Sequence, residues 1–291
     1  MYSNPPITKR PPGDARPTAL QIVKDAGCED ALIGKVILIT GCSSGLGIET
    51  ARALYHTGAT LYLTARDMEK AKSALGDIMA STRVRLLHLD FNSLASVRAC
   101  AEEFNSKSNT LNVLIANAGV MACPEAQFLL FYLLKSRLLC SSTPAFNSRV
   151  VIVASSAHCV SYVHFDNLSL EGEYEPWKAY GQSKTANIWT ANEIERRYDA
   201  QGLHAFSLHP GAIMTELLRH VSGEQKADWE RNEFLTNYWK SPEQGAATTV
   251  RGAVARELEG TESSTWMTVK SHHRPILYSG MGPAMRHGRT V

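Results

Sequence analysis

From Lys35 onward, short uncharged runs rich in β-branched residues alternate with helical stretches, and this alternation constrains the fold more than any other feature of the chain. Lys35-Val-Ile-Leu-Ile-Thr40 carries no charge inside it, the pattern of a strand buried on both faces. A glycine-bearing turn, Gly41 to Gly47, leads into a helix over Ile48 to His56 and a second strand over Ala59 to Thr64. The same reading predicts helix over Asp67 to Ala80, strand Val84 to Leu89, helix Leu94 to Ser106, strand Leu111 to Ala116, helix Gln127 to Leu139 and strand Arg149 to Ala154. A long helix, Trp177 to Arg197, precedes strand Leu203 to Leu208, which ends at the break Pro210-Gly211. Beyond it Thr215 to Lys240 reads as amphipathic helix, and Pro242 opens another reaching about Leu258. The expected fold class is α/β, a Rossmann-type doubly wound, mostly parallel sheet with helices on both faces.

With 291 residues, 44% hydrophobic and 20% charged, the chain has apolar material for a real core, and global disorder is excluded. Thirty Lys plus Arg against 28 Asp plus Glu gives a net charge of +2, which argues for no nucleic-acid partner and leaves a small molecule as the ligand class. The six cysteines form no C-x-x-C pair, so reduced thiols in a cytoplasmic setting are expected. The first twenty residues hold five prolines and no apolar run, and the run Phe128 to Leu134 falls far short of the ~20 residues that span a bilayer. Asn167-Leu168-Ser169 fits a glycosylation acceptor, but no secretory signal accompanies it. The expected layout is a leader over 1–33 with a short helix, partly mobile; a dinucleotide-binding catalytic domain over 34–260; and an irregular basic tail over 261–291. The tail offers Thr265 to Val269 as a strand, and its His272, His273 and His287 lack ligand-spaced partners, so no metal is expected.

The turn Thr40-Gly41-Cys42-Ser43-Ser44-Gly45-Leu46-Gly47 lies between a buried strand and a helix, where helix N-H groups and the dipole favour a pyrophosphate. Its residues Gly41, Ser43, Ser44, Gly45, Leu46 and Gly47 are therefore candidate cofactor contacts. Gly41 to Gly45 also satisfies G-x-S-x-G, the nucleophile elbow of serine hydrolases, with Ser43 as nucleophile. Against that reading, the turn follows the first recognisable strand, and Gly47 has no part in an elbow. After the second strand the chain reads Thr64-Ala65-Arg66-Asp67, a cation where NAD-binding chains carry a carboxylate, so Arg66 points to the 2′-phosphate of NADP(H). The plainer reading makes Arg66 a solvated residue and Asp67 a helix N-cap. Asp90 is placed at a strand end to bond the adenine amino group, and Asn117-Ala118-Gly119 ends the next strand. An N-cap and a simple turn are their plainer roles.

Tyr180-Gly181-Gln182-Ser183-Lys184 sets a phenol and an ammonium four apart on one helical face, where the cation favours the phenolate. The pair Ser155-Ser156 follows the preceding strand and brings a hydroxyl to the same strand-end crevice. In this order, T-G-x(3)-G-x-G, N-A-G, a strand ending in Ser-Ser, Y-x-x-x-K and Pro210-Gly211-x(3)-Thr215 resemble the short-chain dehydrogenase/reductases from Gly34 to Leu258. Ala65-Arg66-Asp67, Asn117-Ala-Gly-Val-Met121 and Ala179-Tyr-Gly-Gln-Ser-Lys-Thr-Ala-Asn187 look most like the retinol-dehydrogenase and WW-domain-oxidoreductase branch, of fungal type.

The resemblance implies a carbonyl/alcohol interconversion by hydride transfer with NADP(H), on an apolar or secondary-metabolite substrate. It makes Tyr180 the general acid/base, Lys184 the residue that lowers its pKa and holds the nicotinamide ribose, and Ser156 the hydrogen-bond partner of the substrate oxygen. Pro210, Gly211 and Thr215 would flank the cofactor, and the segment Leu217 to Tyr238, with Trp229, Phe234 and Tyr238, would cover the substrate. One departure stands out. Relatives carry, between N-A-G and the serine strand, a segment whose Asn supports a water relay to the lysine; here Met121 passes through Ala122-Cys-Pro-Glu-Ala-Gln127 into Phe128, about twenty residues short, with enough chain left for a crossover. That leaves a catalytically weakened NADP-binding protein as the alternative. The shortened stretch also belongs to helices that many relatives use in a homodimer, so the resemblance carries that partner only in part.

Overall fold

The computed structural model describes residues 12–118, 124–232 and 239–258. Six strands form one parallel sheet: β1 Val36–Thr40, β2 Thr60–Ala65, β3 Val84–His88, β4 Val113–Ala116, β5 Ser148–Val153 and β6 Leu203–Leu208, in the order β3-β2-β1-β4-β5-β6. Register is set by pairs such as Ile37↔Leu61, Ile39↔Ile115 and Val151↔Phe206. Strand residues face alternately to the two sides, so Ile37 and Ile39 enter one core and Leu38 the other.

One face is covered by α1 Ala19–Asp25, α2 Leu46–Tyr55 and α8 Pro242–Val254, the other by α4 Leu94–Lys107, α5 Pro124–Ser141 and α6 Pro176–Tyr198. The eight-residue helix α3, Met68–Leu75, follows β2. Start signals in the sequence are used as written: Asp67 caps α3, Ser93 caps α4, Glu175 caps α6 with Pro176 behind it, and Ser241 with Gln244 makes a capping box on α8. The short helix expected in the leader is α1, and its Ala19 and Val23 are buried with Cys28 and Leu32 in the core shared with α2 and α8.

One element differs from expectation. Thr215 to Lys240 is not a single amphipathic helix: Thr215 caps a 3₁₀ turn, Glu216–His220, extended backbone at Val221 ends it, and α7 runs only over Gly223–Arg231. Trp239–Lys240 is a short strand, β8, paired parallel with β7, Ala212–Ile213. Tertiary bonds override the helical pattern there: Arg16 donates to the Trp239 carbonyl, and Lys240 Nζ reaches the Pro210 carbonyl at 3.0 Å. Gly119, Phe234, Tyr238 and the strand expected at Thr265 to Val269 lie outside the described residues, as do the tail histidines. No helix among the described residues is long and apolar enough to cross a membrane.

Candidate active site

A parallel sheet carries its loops of function at the carboxyl ends of its strands, and the sequence-selected residues within the described part gather there. After β1 the backbone turns through Gly41 and Gly45 at positive φ, 76° and 60°. Gly45 occupies the N-cap of α2, so the first amides of α2 have no side-chain cap among the described residues, a donor set that suits a phosphate. Ser43, Ser44 and Leu46 are half-buried along the turn.

The other glycines serve packing. A Cβ on Gly47 would sit 2.2 Å from the Gly41 carbonyl oxygen and 2.7 Å from Asn117 Nδ2, and one on Gly41 would meet Ala118 Cα at 2.9 Å. The N-A-G turn is thus stitched to the glycine turn. Asn117 Nδ2 donates to the Thr40 carbonyl at 2.8 Å, while the amides of Asn117 and Ala118 donate to Thr40 Oγ1 at 3.1 and 2.9 Å. Cys42 is fully buried, and burial pushes its thiol up to about 12.

Arg66 is exposed at the end of β2, and Asp67 caps α3 by accepting from the Lys70 amide at 2.9 Å. Asp90 is half-buried after β3; its carboxylate accepts from the Asn92 amide at 3.0 Å, and the cap of α4 falls to Ser93 instead.

On α6, Lys184 Nζ lies 5.4 Å from the centre of the Tyr180 ring. Its ammonium is buried, donates to the Val153 carbonyl at 3.1 Å, and is pushed down to about 8 by burial. Asn187, one turn on, donates to the same carbonyl at 3.2 Å. Tyr180 departs from the lowered pKa expected of it: burial raises the phenol above its ordinary value, and a hydrogen bond from Ser155 only partly opposes this. Proximity in sequence spacing carries the charge of Lys184 but not the loss of water around the phenol.

Of the two serines, Ser155 is the one on the phenol. Its side chain also accepts from the Ala157 amide at 3.2 Å, whereas Ser156 is exposed at the crevice with its amide donating to His209 Nδ1 at 3.3 Å. His209 is held down to about 4, by burial first and then by Lys240 and His158, which keeps its ring neutral and able to accept. Lys240 is likewise pushed down to about 8, chiefly by burial. Its side chain lies across Gly211, at φ 106°, where a Cβ would meet Lys240 Cδ at 2.9 Å. Thr215 closes the crevice from above: a Cβ on Gly45 would be 3.4 Å from its side chain.

An aromatic rim adjoins the phenol. Trp177 meets Tyr180 edge-on at 6.1 Å and Trp229 of α7 at 5.9 Å. The sequence points to Trp229 near the substrate and to Ser155 as one of the Ser155-Ser156 pair, with the substrate role given to Ser156; it does not point to Trp177, Asn187, His209 or Lys240. Trp177 stands three residues before Tyr180 on the same helix, a spacing that could have flagged it. Nothing in the local sequence marks Lys240 as a neighbour of Pro210.

The model of the short chain dehydrogenase family matches residues 35–165. The short-chain dehydrogenase/reductase prx1 of Penicillium roqueforti is 52% identical over 275 residues, covering 89% of this chain and 81% of that protein. Human retinol dehydrogenase 11 is 38% identical over 247 residues, covering 78% of this chain and 75% of that protein. Among solved structures, the RhlG/NADP active-site complex of Pseudomonas aeruginosa shares the fold at a TM-score of 0.64 and 23% identity, over 79% of this chain and 93% of that one.

Proposed function

The chain belongs to the short-chain dehydrogenase/reductase family of oxidoreductases, and on that premise we propose that it interconverts a carbonyl and an alcohol on a small apolar molecule with NADP(H) as cofactor. The observation that carries the reading is the grouping of Tyr180, Lys184 and Ser155 at the carboxyl end of the sheet, the same end as the α2 N-terminus, which has no side-chain cap. The α2 amides and Ser43, Ser44 and Leu46 would hold the pyrophosphate, and the exposed Arg66 the 2′-phosphate. Pro210, Gly211 and Thr215 would line its other side. Bound there, the nicotinamide gives or takes the hydride.

The protein's own part is the proton. Tyr180 donates to the oxygen on which negative charge develops, and Ser155 and Ser156 offer hydroxyls to the phenol and to that oxygen. In the reverse direction Tyr180 must lose its proton, and the Lys184 ammonium is the cation at hand to favour that. The Trp177–Trp229 rim supports an apolar or aromatic substrate, as does the name of the human relative. Oxidation of NADPH in the presence of a panel of aldehydes and ketones tests the reading. Turnover no greater than that of Tyr180→Phe, with cofactor bound, would remove the enzymatic half.

A second reading, a dinucleotide-binding protein of weakened activity, draws on the raised Tyr180 phenol and the shortened stretch before α5. Thermal stabilisation by NADPH without turnover supports it. Ser43 as a hydrolase nucleophile gains no support, since among the described residues no histidine is hydrogen-bonded to it.

A further inference from the structure

The strand order sets a problem for the chain leaving β6. Between β6 and β2 stand β5, β4 and β1, so the two are four strand spacings apart, about 19 Å. Yet Glu216, reached within eight residues of the end of β6, holds Lys70, in the first turn of the helix that follows β2: Lys70 Nζ lies 2.8 and 2.6 Å from the two carboxylate oxygens. To make that contact the segment passes over the carboxyl ends of the intervening strands, and Thr215 rides against Gly45 on the way. The result is an arch across the crevice that faces the α2 amides.

Its two feet differ. At β6 the arch is fixed by the β7–β8 pairing and by the largely buried Lys240 on the Pro210 carbonyl. At α3 the described contact is the Lys70–Glu216 ion pair, whose side chains are 45% and 52% exposed. Such a pair is weak and screened by salt.

We propose that Lys70 and Glu216 form the latch of this arch, opening to admit or release the dinucleotide and closing across it. The proposal rests on the dinucleotide reading above. Neither residue takes part in proton transfer; both act by positioning the segment that carries Thr215.

The test is the release rate of NADPH from the full-length protein, followed by stopped-flow fluorescence on displacement with excess NADP⁺. Lys70→Ala and Glu216→Gln should each speed release ~2- to 5-fold, the range an exposed pair supports. The exchanged pair Lys70→Glu with Glu216→Lys should return release to near the wild-type rate, and added sodium chloride should speed the wild type more than either single variant. Unchanged release in both single variants, or an exchanged pair as fast as they are, overturns the latch. Slower release in Glu216→Gln with faster release in Lys70→Ala also overturns it, because Glu216 would then compete with the cofactor for Lys70. Failure of the wild type to bind either NADPH or NADH overturns the dinucleotide reading itself.

Discussion

Lys184 is a cation kept where water is scarce, and the burden shows in its pKa, moved from 10.5 to about 8. Between those values the unfolded chain binds a proton that the folded chain does not, so stability rises with pH across that window; below about 8 both states are charged and the folded state bears the full desolvation. Lys184→Met should therefore abolish turnover yet stabilise the fold at pH 7 by about 1–3 kcal/mol. The advantage should shrink as pH rises from about 8 and vanish near 10.5, as thermal melts across pH would record. Gly47 is the opposite case. Gly47→Ala drives a methyl into the Gly41 carbonyl and Asn117, and should lower stability by about 1–3 kcal/mol in urea unfolding. Spacing in the sequence made both positions legible. The direction of the Tyr180 shift was not, because it depends on burial contributed by other elements.

At the scale of elements, strands were easy to read because runs such as Val36–Thr40 are buried on both faces and tolerate no charge. Leu203–Leu208 was read to the residue. The stretch after Thr215 departs from its amphipathic spacing because Trp239 and Lys240 are bonded to Arg16 and Pro210, partners 223 and 30 residues away in the chain. Helix α8 hides a different feature: Thr248 and Thr249 are fully buried and their hydroxyls have no hydrogen-bond partner among the described residues, as is true of Thr50 on α2. A buried hydroxyl left unbonded is unfavourable, and valine keeps its shape. Thr248→Val should accordingly raise stability by about 1 kcal/mol, read as a higher melting temperature with kcat unchanged.

For the whole molecule, the leader counts for more than its proline-rich sequence suggests. Gly13 donates to Gln244 Oε1 at 3.0 Å, and Gln244 Nε2 returns bonds to the carbonyls of Asp14 and Arg16, both at 3.0 Å. Gln244 is 1% exposed, so Gln244→Leu strands those groups and should lower stability by about 1–3 kcal/mol, with a matching loss on deletion of residues 1–17. Equal melting temperatures for the deleted and full-length proteins would show the mooring to be idle. No local pattern announces contacts between residues about 230 positions apart, which is why the alternation revealed the sheet but not this tie.

The bond from Arg16 to the Trp239 carbonyl gives that mooring a mechanical reading. A tether attached ahead of Gly13 pulls first on β8 and on the start of α8, in shear, before any load reaches the six-stranded sheet. Stretched by that tether, the molecule should yield in two events, the earlier one freeing the ribbon at the crevice and the later one tearing the sheet.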